Sequence, residues 1–331
     1  MIVMEYKRSQ NESADDFFVR VGLAATAHQI TWEQAAEILN KDTNCNFGES
    51  AYRKKFKAFY AGMQYQSSKS TEDVATRILS LSDLHIPYQR EYHQSLSEYA
   101  GNIDILQLNG DIVDCQAISK FPKTYRKSSM EEITIARSYL IELIEFLRPR
   151  KVVVNYGNHD LRFQNYLAKN LEDSDLLELM PKTSLELIFV DGFNRYNKEL
   201  HTKVHYDPLI EVFPDITIEY HDSWFSQIGK TIFCHPSAFS SAMMRTAENA
   251  RRYFKDEGYD FTSLVMAHTH RTGHYDVGNT TIYEQGAFCL TKKMNYSDGK
   301  LITSQREGFI YVCQDSNGNI IDKHTSIVKL N

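Results

Sequence analysis

The chain has 331 residues, 42% of them hydrophobic, and a formal net charge of -6 at pH 7. This length exceeds the usual size of one domain, so we expect one large domain with a smaller one attached. The negative charge and a pI near 6.1 exclude a protein that coats nucleic acid with its whole surface. Any contact with nucleic acid must therefore be a local basic patch.

Cysteine usage and hydropathy indicate the compartment. The five cysteines are odd in number and include no Cys-x-x-Cys pair, which fits reduced thiols in a cytoplasm. No apolar run approaches the length that crosses a bilayer, and the N-terminus has only a few apolar residues before its first charges. We therefore predict a cytoplasmic protein without a membrane partner.

Residues 1–66 are predicted to form a small all-α domain. Apolar residues recur at helical spacing over residues 14–28, and Thr31 with Gln34 gives a capping-box pattern at the start of a second helix. A turn-rich stretch then leads to Ser50, which can cap a third helix. This order of helices resembles a helix-turn-helix module, whose last helix enters a DNA groove.

A basic face on the third helix is the candidate nucleic-acid interface. No acidic residue lies between Ala51 and Gly62, and the candidate binding residues are Arg53, Lys54, Lys55 and Lys57. The pattern also fits a solvated face of a small bundle or an oligomerisation cap, so the oligomeric state stays open. Polar residues 67–74 are predicted to be a linker, and residues 75–331 a catalytic domain.

Strands alternate with helices in the first half of that domain. The predicted strands are 76–82, 103–109 and 151–156, and the predicted helices are about 89–100, 130–147 and 161–170. This alternation predicts a parallel sheet joined by right-handed crossovers. In such a sheet the ligand site lies beyond the carboxyl ends of the strands.

The second half of the domain is less regular. Residues 171–215 are predicted to be an insertion that forms a lid or shapes the substrate site. Strands are expected at 216–220, 231–234, 279–285, 307–313 and 320–328, and a helix at about 237–255 with Phe239 and Met243 on its buried face. The last two strands form a predicted hairpin, and the last three suggest a second sheet, antiparallel or mixed.

Residues with metal-binding side chains follow the apolar runs. The motifs, in order, are Asp83-x-His85, Gly-Asp111-x-x-Asp, Gly-Asn158-His159-Asp160, a lone His235 and His268-x-His270. Alternate residues of an extended chain point the same way, so Asp83 and His85 can reach one cation. Carboxylate oxygens and imidazole nitrogens together suit Mn, Fe, Zn or Ni rather than Ca.

This ordered set resembles the calcineurin-like metallophosphoesterase superfamily over residues 75–290 or so, and the whole arrangement resembles its phage-encoded members. The resemblance implies an α/β fold with a two-sheet β-sandwich flanked by helices, and two divalent ions, with Mn favoured. The resemblance implies that Asp83, His85 and His270 bind the first ion, that Asn158, His235 and His268 bind the second, and that Asp111 bridges the two. It also implies that His159 acts on the leaving group and that Asp160 holds the His159 imidazole. Two departures are Ala267, where the family has Gly, and Pro236 after the lone histidine.

The site predicts a dinuclear-metal-dependent phosphoester hydrolase. Two divalent ions and only two carboxylates, Asp83 and Asp111, leave a net positive centre that attracts phosphate and lowers the pKa of water. The helical domain favours a DNA nuclease, and Arg126, Lys127 or Arg162 could face phosphate. A phosphomonoesterase or a cyclic-nucleotide phosphodiesterase has the same motifs. An alternative of another class is a DNA-binding or scaffold protein with a vestigial metal site.

Overall fold

The computed structural model describes residues 6–9, 12–69, 74–120, 127–169, 183–197, 201–294 and 305–330, with the backbone alone for residues 61–69 and 197. The chain divides into two compact units, Met1–Asp73 and Val74–Asn331. Arg126 and residues 171–182 and 198–200 of the predicted lid lie outside the described residues. Within the described ranges, no helix has both the length and the apolar character that crossing a bilayer requires.

The N-terminal unit contains three helices, α1 (Ala14–Thr26), α2 (Trp32–Thr43) and α3 (Glu49–Lys69). The predicted capping box is present, because the Gln34 N–H donates to Thr31 Oγ1 at 3.2 Å and the Thr31 N–H donates to Gln34 Oε1 at 2.8 Å. The three helices bury one apolar cluster that includes Phe17, Phe18, Val21, Ala35, Leu39, Tyr52 and Phe56. Helix α3 continues to Lys69, three residues into the predicted linker.

The strands of the second unit are β1 (Thr76–Leu81), β2 (Ile105–Asn109), β3 (Lys151–Asn155), β4 (Phe193–Asn197), β5 (Thr202–Tyr206), β6 (Thr217–His221), β7 (Phe225–Ile228), β8 (Thr231–Cys234), β9 (Ser263–Met266), β10 (Thr272–Val277), β11 (Thr280–Gln285), β12 (Gly308–Gln314) and β13 (Ser326–Lys329). Its longer helices are α4 (Ser129–Leu147), α5 (Leu161–Lys169) and α6 (Arg245–Asp256). Short helical turns lie at Ser184–Glu186 and Leu209–Val212, and a π-helical turn lies at Leu187–Asp191.

Two mixed sheets pack face to face. One has the order β13-β12-β1-β2-β3-β6, with β1, β2, β3 and β6 parallel, and the other has the order β10-β11-β9-β8-β7, with β8, β9 and β11 parallel. The predicted parallel sheet is therefore confirmed. Strands β4 and β5 form a separate two-stranded sheet.

Alternation along each strand produces the layers. On β1, Ile78 packs between the sheets with Phe233 and Val265 of the second sheet. Its neighbour Leu79 points to the opposite face, in the cluster that holds helix α4. A third cluster packs helix α6 on the outer face of the second sheet. The result is the predicted two-sheet sandwich flanked by helices.

Strands β12 and β13 lie in the first sheet, so the prediction that they join a second sheet is wrong. Strand β12 pairs antiparallel with β1, and Val312 is opposite Ile78. Only β11 of the three predicted consecutive strands joins the second sheet. The predicted hairpin between β12 and β13 is present.

The predicted helix at 89–100 is also absent. Tyr92, Leu96 and Tyr99 are buried, as the helical spacing requires, but the segment consists of turns and a 3-10 turn at Ser97–Tyr99. The side chain of Glu91 accepts the backbone N–H groups of Tyr92 and His93, each at 3.0 Å. These local hydrogen bonds compete with a helical start.

The predicted helix at 237–255 begins only at Arg245. Two carbonyl groups upstream of Arg245 are hydrogen-bonded outside a helix, because the Arg271 guanidinium donates to the carbonyls of Ser241 and Ala242 at 3.0 and 3.2 Å. Met244 stands before the helix in the left-handed region, with φ 62°. Phe239 and Met243 are therefore exposed instead of buried.

The described part of the predicted lid is largely structural. Leu185, Ile188, Phe189 and Leu209 are fully buried in the main core of the catalytic unit. Residues 184–191 therefore contribute apolar side chains to the core.

Candidate metal centre

The candidate site lies at the carboxyl ends of parallel strands from both sheets. Strand β1 leads to Asp83 and His85, and β2 leads to Asp111. Strand β3 precedes Asn158 and His159, β8 precedes His235, and β9 precedes His268 and His270. Carboxyl ends of parallel strands share one edge of a sheet, so the fold brings these separate segments together.

One group of possible ligands contains Asp83, His85 and His270, all buried. His270 Nε2 lies 3.1 Å from Asp83 Oδ1 and 3.2 Å from His85 Nε2. His85 Nε2 lies 3.8 Å from Asp111 Oδ2. These are the residues that the resemblance assigned to a first ion, with Asp111 beside them.

A second group contains Asp111, His235 and His268. His235 Nε2 lies 3.2 Å from the same Oδ2 atom of Asp111 and 3.8 Å from Asp83 Oδ1. The Asp111 carboxylate therefore borders both groups, as a bridging ligand requires. Asn158 follows strand β3 at this edge, and its Oδ1 atom is buried.

Hydrogen bonds on the far side of two imidazoles fix which nitrogen faces the site. His235 Nδ1 lies 2.8 Å from the backbone oxygen of Asn109, and His85 Nδ1 lies 3.0 Å from Asp114 Oδ1. Each Nδ1–H donates to its oxygen, so in the neutral form that binds metal each Nε2 presents a lone pair to the cluster. This arrangement is typical of histidines that bind metal.

The backbone at the site is strained. Asp83, His85, Asp111, His268 and His270 have φ values between 43° and 78°, in the left-handed region that side chains with a Cβ rarely adopt. Each such residue costs on the order of 1–3 kcal/mol, which the surrounding fold must supply. A backbone of this kind is typical of a site shaped for a ligand.

Buried polar atoms test whether the site fits cations. Asp83 Oδ1, Asn158 Oδ1, His235 Nε2 and His268 Nε2 are buried, and within the described ranges none has a hydrogen bond of acceptable geometry. Such orphaned acceptors cost about 1–3 kcal/mol each. All four belong to the predicted ligand set, and a cation would satisfy them together. The donor set therefore fits divalent metal.

A close approach of backbone and carboxylate explains one glycine of the motifs. A Cβ atom on Gly157 would lie 2.2 Å from Asp111 Oδ1 and 2.5 Å from the Asp111 nitrogen. No side chain fits in that space. The glycine before Asn158 thus allows the third motif to pack against the second.

The two departures from the family pattern leave the ligands in place. Ala267 has no left-handed backbone, since the positive φ falls on His268, and its N–H donates to the Cys234 carbonyl at 3.0 Å. A methyl group is therefore tolerated. Pro236 precedes the non-helical loop that ends at Met244.

Asp160 does not hold the His159 imidazole, so that prediction is wrong. Asp160 Oδ1 accepts the Val113 N–H at 3.0 Å, and Oδ2 accepts the Gly157 N–H at 2.9 Å. The buried carboxylate thus ties the second motif to the third. Burial and the nearby Asp111 raise the pKa of Asp160 to about 7.

Asp114 takes the role predicted for Asp160. Its Oδ1 atom accepts from His159 Nδ1 at 2.9 Å and from His85 Nδ1 at 3.0 Å. One oxygen therefore orients both a ligand of the first group and the predicted catalytic imidazole. Sequence reasoning missed this role, although the motif Gly-Asp-x-x-Asp, in which Asp114 is the last residue, marks the position.

Arg162 contacts the other nitrogen of the His159 ring. Its Nη2 lies 2.8 Å from His159 Nε2, and its Nη1 donates to the Asp114 carbonyl at 3.0 Å. The ring is therefore the neutral Nδ1–H tautomer, with Nε2 as acceptor. Burial lowers the pKa of His159. Asp111 and Asp114 act to raise it, whereas His85 and Arg162 lower it further, and the net shift is downward. The expectation of a protonated His159 does not match this arrangement.

Charges within the cluster shift its pKa values in opposite directions. Burial alone would raise the pKa values of Asp83 and Asp111. The imidazoles of His270 and His235 nevertheless hold the pKa of Asp83 well below its usual range. His235 and His159 do the same for the pKa of Asp111. Burial opposes the charged form of His85, but Asp114 and Asp83 raise its pKa to about 10. Asp111 and Asp83 raise the pKa of His235 to about 9 against burial. Burial and His235 lower the pKa of His268 to about 4.

These values predict that metal loading releases protons. A pH of 7.5 lies below the raised pKa values of metal-free His85 and His235, so both imidazoles are positively charged. An imidazole that binds metal must be neutral. Loading should therefore release about two protons per chain from these residues, and metal affinity should fall as the pH falls. Calorimetric titration with Mn²⁺ in buffers of different ionisation enthalpy measures the number. Release of no protons at pH 7.5 would contradict the assignment.

Fold and site together define a metal-dependent phosphoesterase. The family model described as calcineurin-like phosphoesterase matches residues 76–272, well over half of the chain, and the protein therefore belongs to that family. A second model, described as the YonJ N-terminal domain, matches residues 3–71. The helical unit thus has its own family.

One curated relative is the SPbeta prophage-derived uncharacterized protein YonJ of Bacillus subtilis strain 168, which is 31% identical over 94 residues. That match covers 28% of this chain and 23% of the relative, so the chain spans about a quarter of that protein's length. The predicted resemblance to phage-type proteins is confirmed.

Solved structures with similar folds include Vacuolar Protein Sorting 29 of Cryptosporidium parvum, at 13% identity and a TM-score of 0.37 over 78% of this chain and 100% of that one. A metallophosphoesterase of Sphaerobacter thermophilus matches at 14% identity and a TM-score of 0.36, over 78% of this chain and 89% of that one. An archaeal phosphodiesterase matches at 12% identity and a TM-score of 0.35, over 77% and 99%.

Proposed function

We propose that the protein is a nuclease that hydrolyses phosphodiester bonds of DNA with two divalent ions, Mn²⁺ first among them, in a reducing cytoplasm. The observation that carries the proposal is the convergence of the predicted ligands around Asp111, which groups with His235 and His268 and lies beside the group of Asp83, His85 and His270. All five cysteines are free thiols, which agrees with a reducing compartment.

The charge of the ligand set suits a phosphodiester. The first group contributes the carboxylate of Asp83, Asp111 lies between the groups, and Asn158 and the histidines are neutral as ligands. When bound, two divalent ions supply positive charge for the phosphate and lower the pKa of the attacking water. Replacing neutral Asn158 by a third carboxylate would reduce that charge.

His159 is the proposed proton donor for the leaving oxygen. Asp114 holds the ring through Nδ1, so Nε2 points toward the cluster, 3.9 Å from Asp111 Oδ2. In the resting arrangement Nε2 has no proton and accepts from Arg162, so donation requires the guanidinium to move away and Nε2 to take up a proton from solvent first. A phosphate anion is a stronger acceptor for guanidinium than a neutral imidazole, and it supplies a reason for that movement.

The helical unit supports nucleic acid as the substrate. Arg53, Lys54, Lys55 and Lys57 are exposed on helix α3. Arg53 pairs weakly with Glu49, at 3.9 Å, and Lys55 Nζ lies 5.2 Å from the centre of the Phe18 ring. Surface contacts of this kind contribute little free energy, so the side chains can turn to phosphates.

Salt dependence tests this face directly. Removal of one side chain that binds a phosphate should flatten the plot of log affinity against log salt by about 0.9 for duplex DNA. Replacing Arg53, Lys54, Lys55 and Lys57 by Gln should therefore weaken DNA binding and reduce the slope by up to roughly three to four units. Fluorescence anisotropy with a labelled duplex at several salt concentrations measures both quantities.

A matched variant removes the same charge from the catalytic unit, by Gln at the exposed residues Lys120, Arg150, Lys203 and Lys329. Its slope should stay near that of the parent. Both variants should turn over a small phosphodiester as the parent does, because every proposed ligand lies outside the substituted positions. An unchanged slope in the helix α3 variant would mean that the face is merely solvated, and the unit would then be an assembly element.

A substrate panel tests the activity itself. The Mn²⁺-loaded protein should cleave single- or double-stranded DNA faster than RNA, a cyclic nucleotide or a phosphomonoester. Preference for the monoester or for the cyclic nucleotide would replace the nuclease by the corresponding small-molecule enzyme. Metal binding without turnover of any of these would instead point to a binding or scaffold protein.

A further inference from the structure

An exposed aromatic ring lies next to a ligand of the second group. Phe239 belongs to the non-helical loop between strand β8 and helix α6, and its side chain is 59% exposed. Its ring centroid lies 6.1 Å from that of His268, with an interplanar angle of 79°. The two rings thus meet edge to face, while much of the Phe239 ring is exposed to solvent.

A buried cation fixes the position of this ring. The Arg271 guanidinium lies 5.6 Å from the Phe239 ring centroid and also takes the carbonyls of Ser241 and Ala242. Arg271 is buried and directly follows His270, a ligand of the first group. Phe239 is therefore tied to both ligand groups through neighbouring residues, and its ring is positioned in advance of binding.

The exposure of Phe239 has a cost that its own packing does not explain. A phenyl ring gains about 1.5–3 kcal/mol when it is buried, and this ring forgoes most of that gain. Single exposed apolar residues are ordinary on a protein surface. An exposed ring that is held against a metal-site histidine by a buried arginine differs, because its place relative to the reacting phosphate is fixed.

We propose that Phe239 stacks on a nucleobase of the strand whose phosphate lies at the metal centre, and so determines specificity for nucleotides over plain phosphodiesters. This inference rests on the proposed function and adds the group that the site recognises. Every base has a flat π face, so stacking on one ring is independent of sequence and is worth about 1–3 kcal/mol per base. Phosphate and base would then be held by different parts of one site.

Two esters with the same leaving group separate base recognition from chemistry. Thymidine 5′-(p-nitrophenyl phosphate) carries a base, whereas methyl p-nitrophenyl phosphate does not. Phe239→Leu keeps an apolar side chain without the ring and should lower kcat/KM on the thymidine ester by about 5- to 150-fold, the kinetic equivalent of the stacking energy. Phe239→Tyr keeps the ring and should stay near the parent. Both variants should hydrolyse the methyl ester at the parental rate.

Met243→Ala is the matched control, because Met243 is 64% exposed in the same loop and has no aromatic ring. It should treat both esters as the parent does. A binding readout is the fluorescence of a 2-aminopurine trinucleotide on metal-loaded protein in a His159→Ala background, which limits turnover. Stacking quenches this fluorescence, and Phe239→Leu should abolish most of the quenching.

The inference is overturned if Phe239→Leu lowers kcat/KM equally on both esters, changes it on neither, or leaves the fluorescence quenching intact. It is also overturned if the parent shows no preference for the thymidine ester. Failure of the proposed function is a separate result, namely a parent that hydrolyses the methyl ester but cleaves no DNA. A thymidine preference that depends on Phe239 in such a parent would establish a nucleotide substrate of another kind.

Discussion

Asp111→Ala should lower the turnover of a small phosphodiester by at least about 10³-fold, the largest loss that we expect from one side chain. The Oδ2 atom of Asp111 lies 3.2 Å from His235 Nε2 and 3.8 Å from His85 Nε2, one residue from each ligand group. Its loss removes the ligand that lies between the two groups and so weakens metal binding. Bound metal ions supply several kcal/mol of transition-state stabilisation. Each loss of about 1.4 kcal/mol lowers the rate about tenfold.

Asp111→Asn is the matched variant for this experiment. The His159 N–H donates to Asp111 Oδ1 at 2.7 Å, and an amide oxygen can still accept that hydrogen bond. The variant therefore keeps the packing of the third motif and loses the charge. Steady-state kinetics with metal analysis measures the effect, and circular dichroism confirms folding. More than a tenth of parental turnover with a full metal complement in either variant would show that Asp111 is not the bridge.

His159→Ala should keep the metal and lose roughly 10²–10⁴ in rate on substrates with a poor leaving group, such as DNA. Neither proposed ligand set needs His159 to be complete, although it lies beside Asn158 and its ring is within reach of a metal ion held by His85 and Asp111. A p-nitrophenyl ester needs little proton help, so its hydrolysis should fall less. Equal losses on both substrates with metal retained would indicate substrate positioning in place of proton donation.

Asp114→Ala should behave differently from His159→Ala, because Asp114 Oδ1 holds both His159 and His85. Loss of a partner behind a ligand histidine typically costs 10- to 100-fold in metal affinity or activity, so this variant should lose metal as well as rate. Asp114→Asn keeps an oxygen acceptor and should retain more of both. Parental metal affinity in Asp114→Ala would mean that His85 is not oriented by this contact.

The order of motifs along the chain is enough to predict which residues come together, because the motifs follow parallel strands. A strand's carboxyl end fixes where the next residues lie, whatever the loops do. The identity of the His159 partner is not predictable in the same way. Asp160 is adjacent in sequence, but its carboxylate points to the Gly157 and Val113 amides, while Asp114 reaches the imidazole from the loop after strand β2.

Long-range contacts explain the errors in the fold as well. Helical spacing over residues 237–255 is correct from Arg245 onward, but Arg271 takes upstream carbonyls that a helix would need. The pairing of β12 with β1 joins residues more than 200 positions apart in the sequence. A local sequence pattern cannot predict such a pairing. Spacing predicts which residues are apolar on one face, and tertiary partners decide whether that face is buried.

A metal titration decides whether the centre is dinuclear. Protein stripped with chelator and then freed of it should be inactive on a small phosphodiester, and activity should rise with added Mn²⁺ to a plateau at two ions per chain. The two ligand groups on either side of the Asp111 carboxylate predict this stoichiometry. Full turnover in excess chelator, or a plateau at a single ion, would contradict a dinuclear centre.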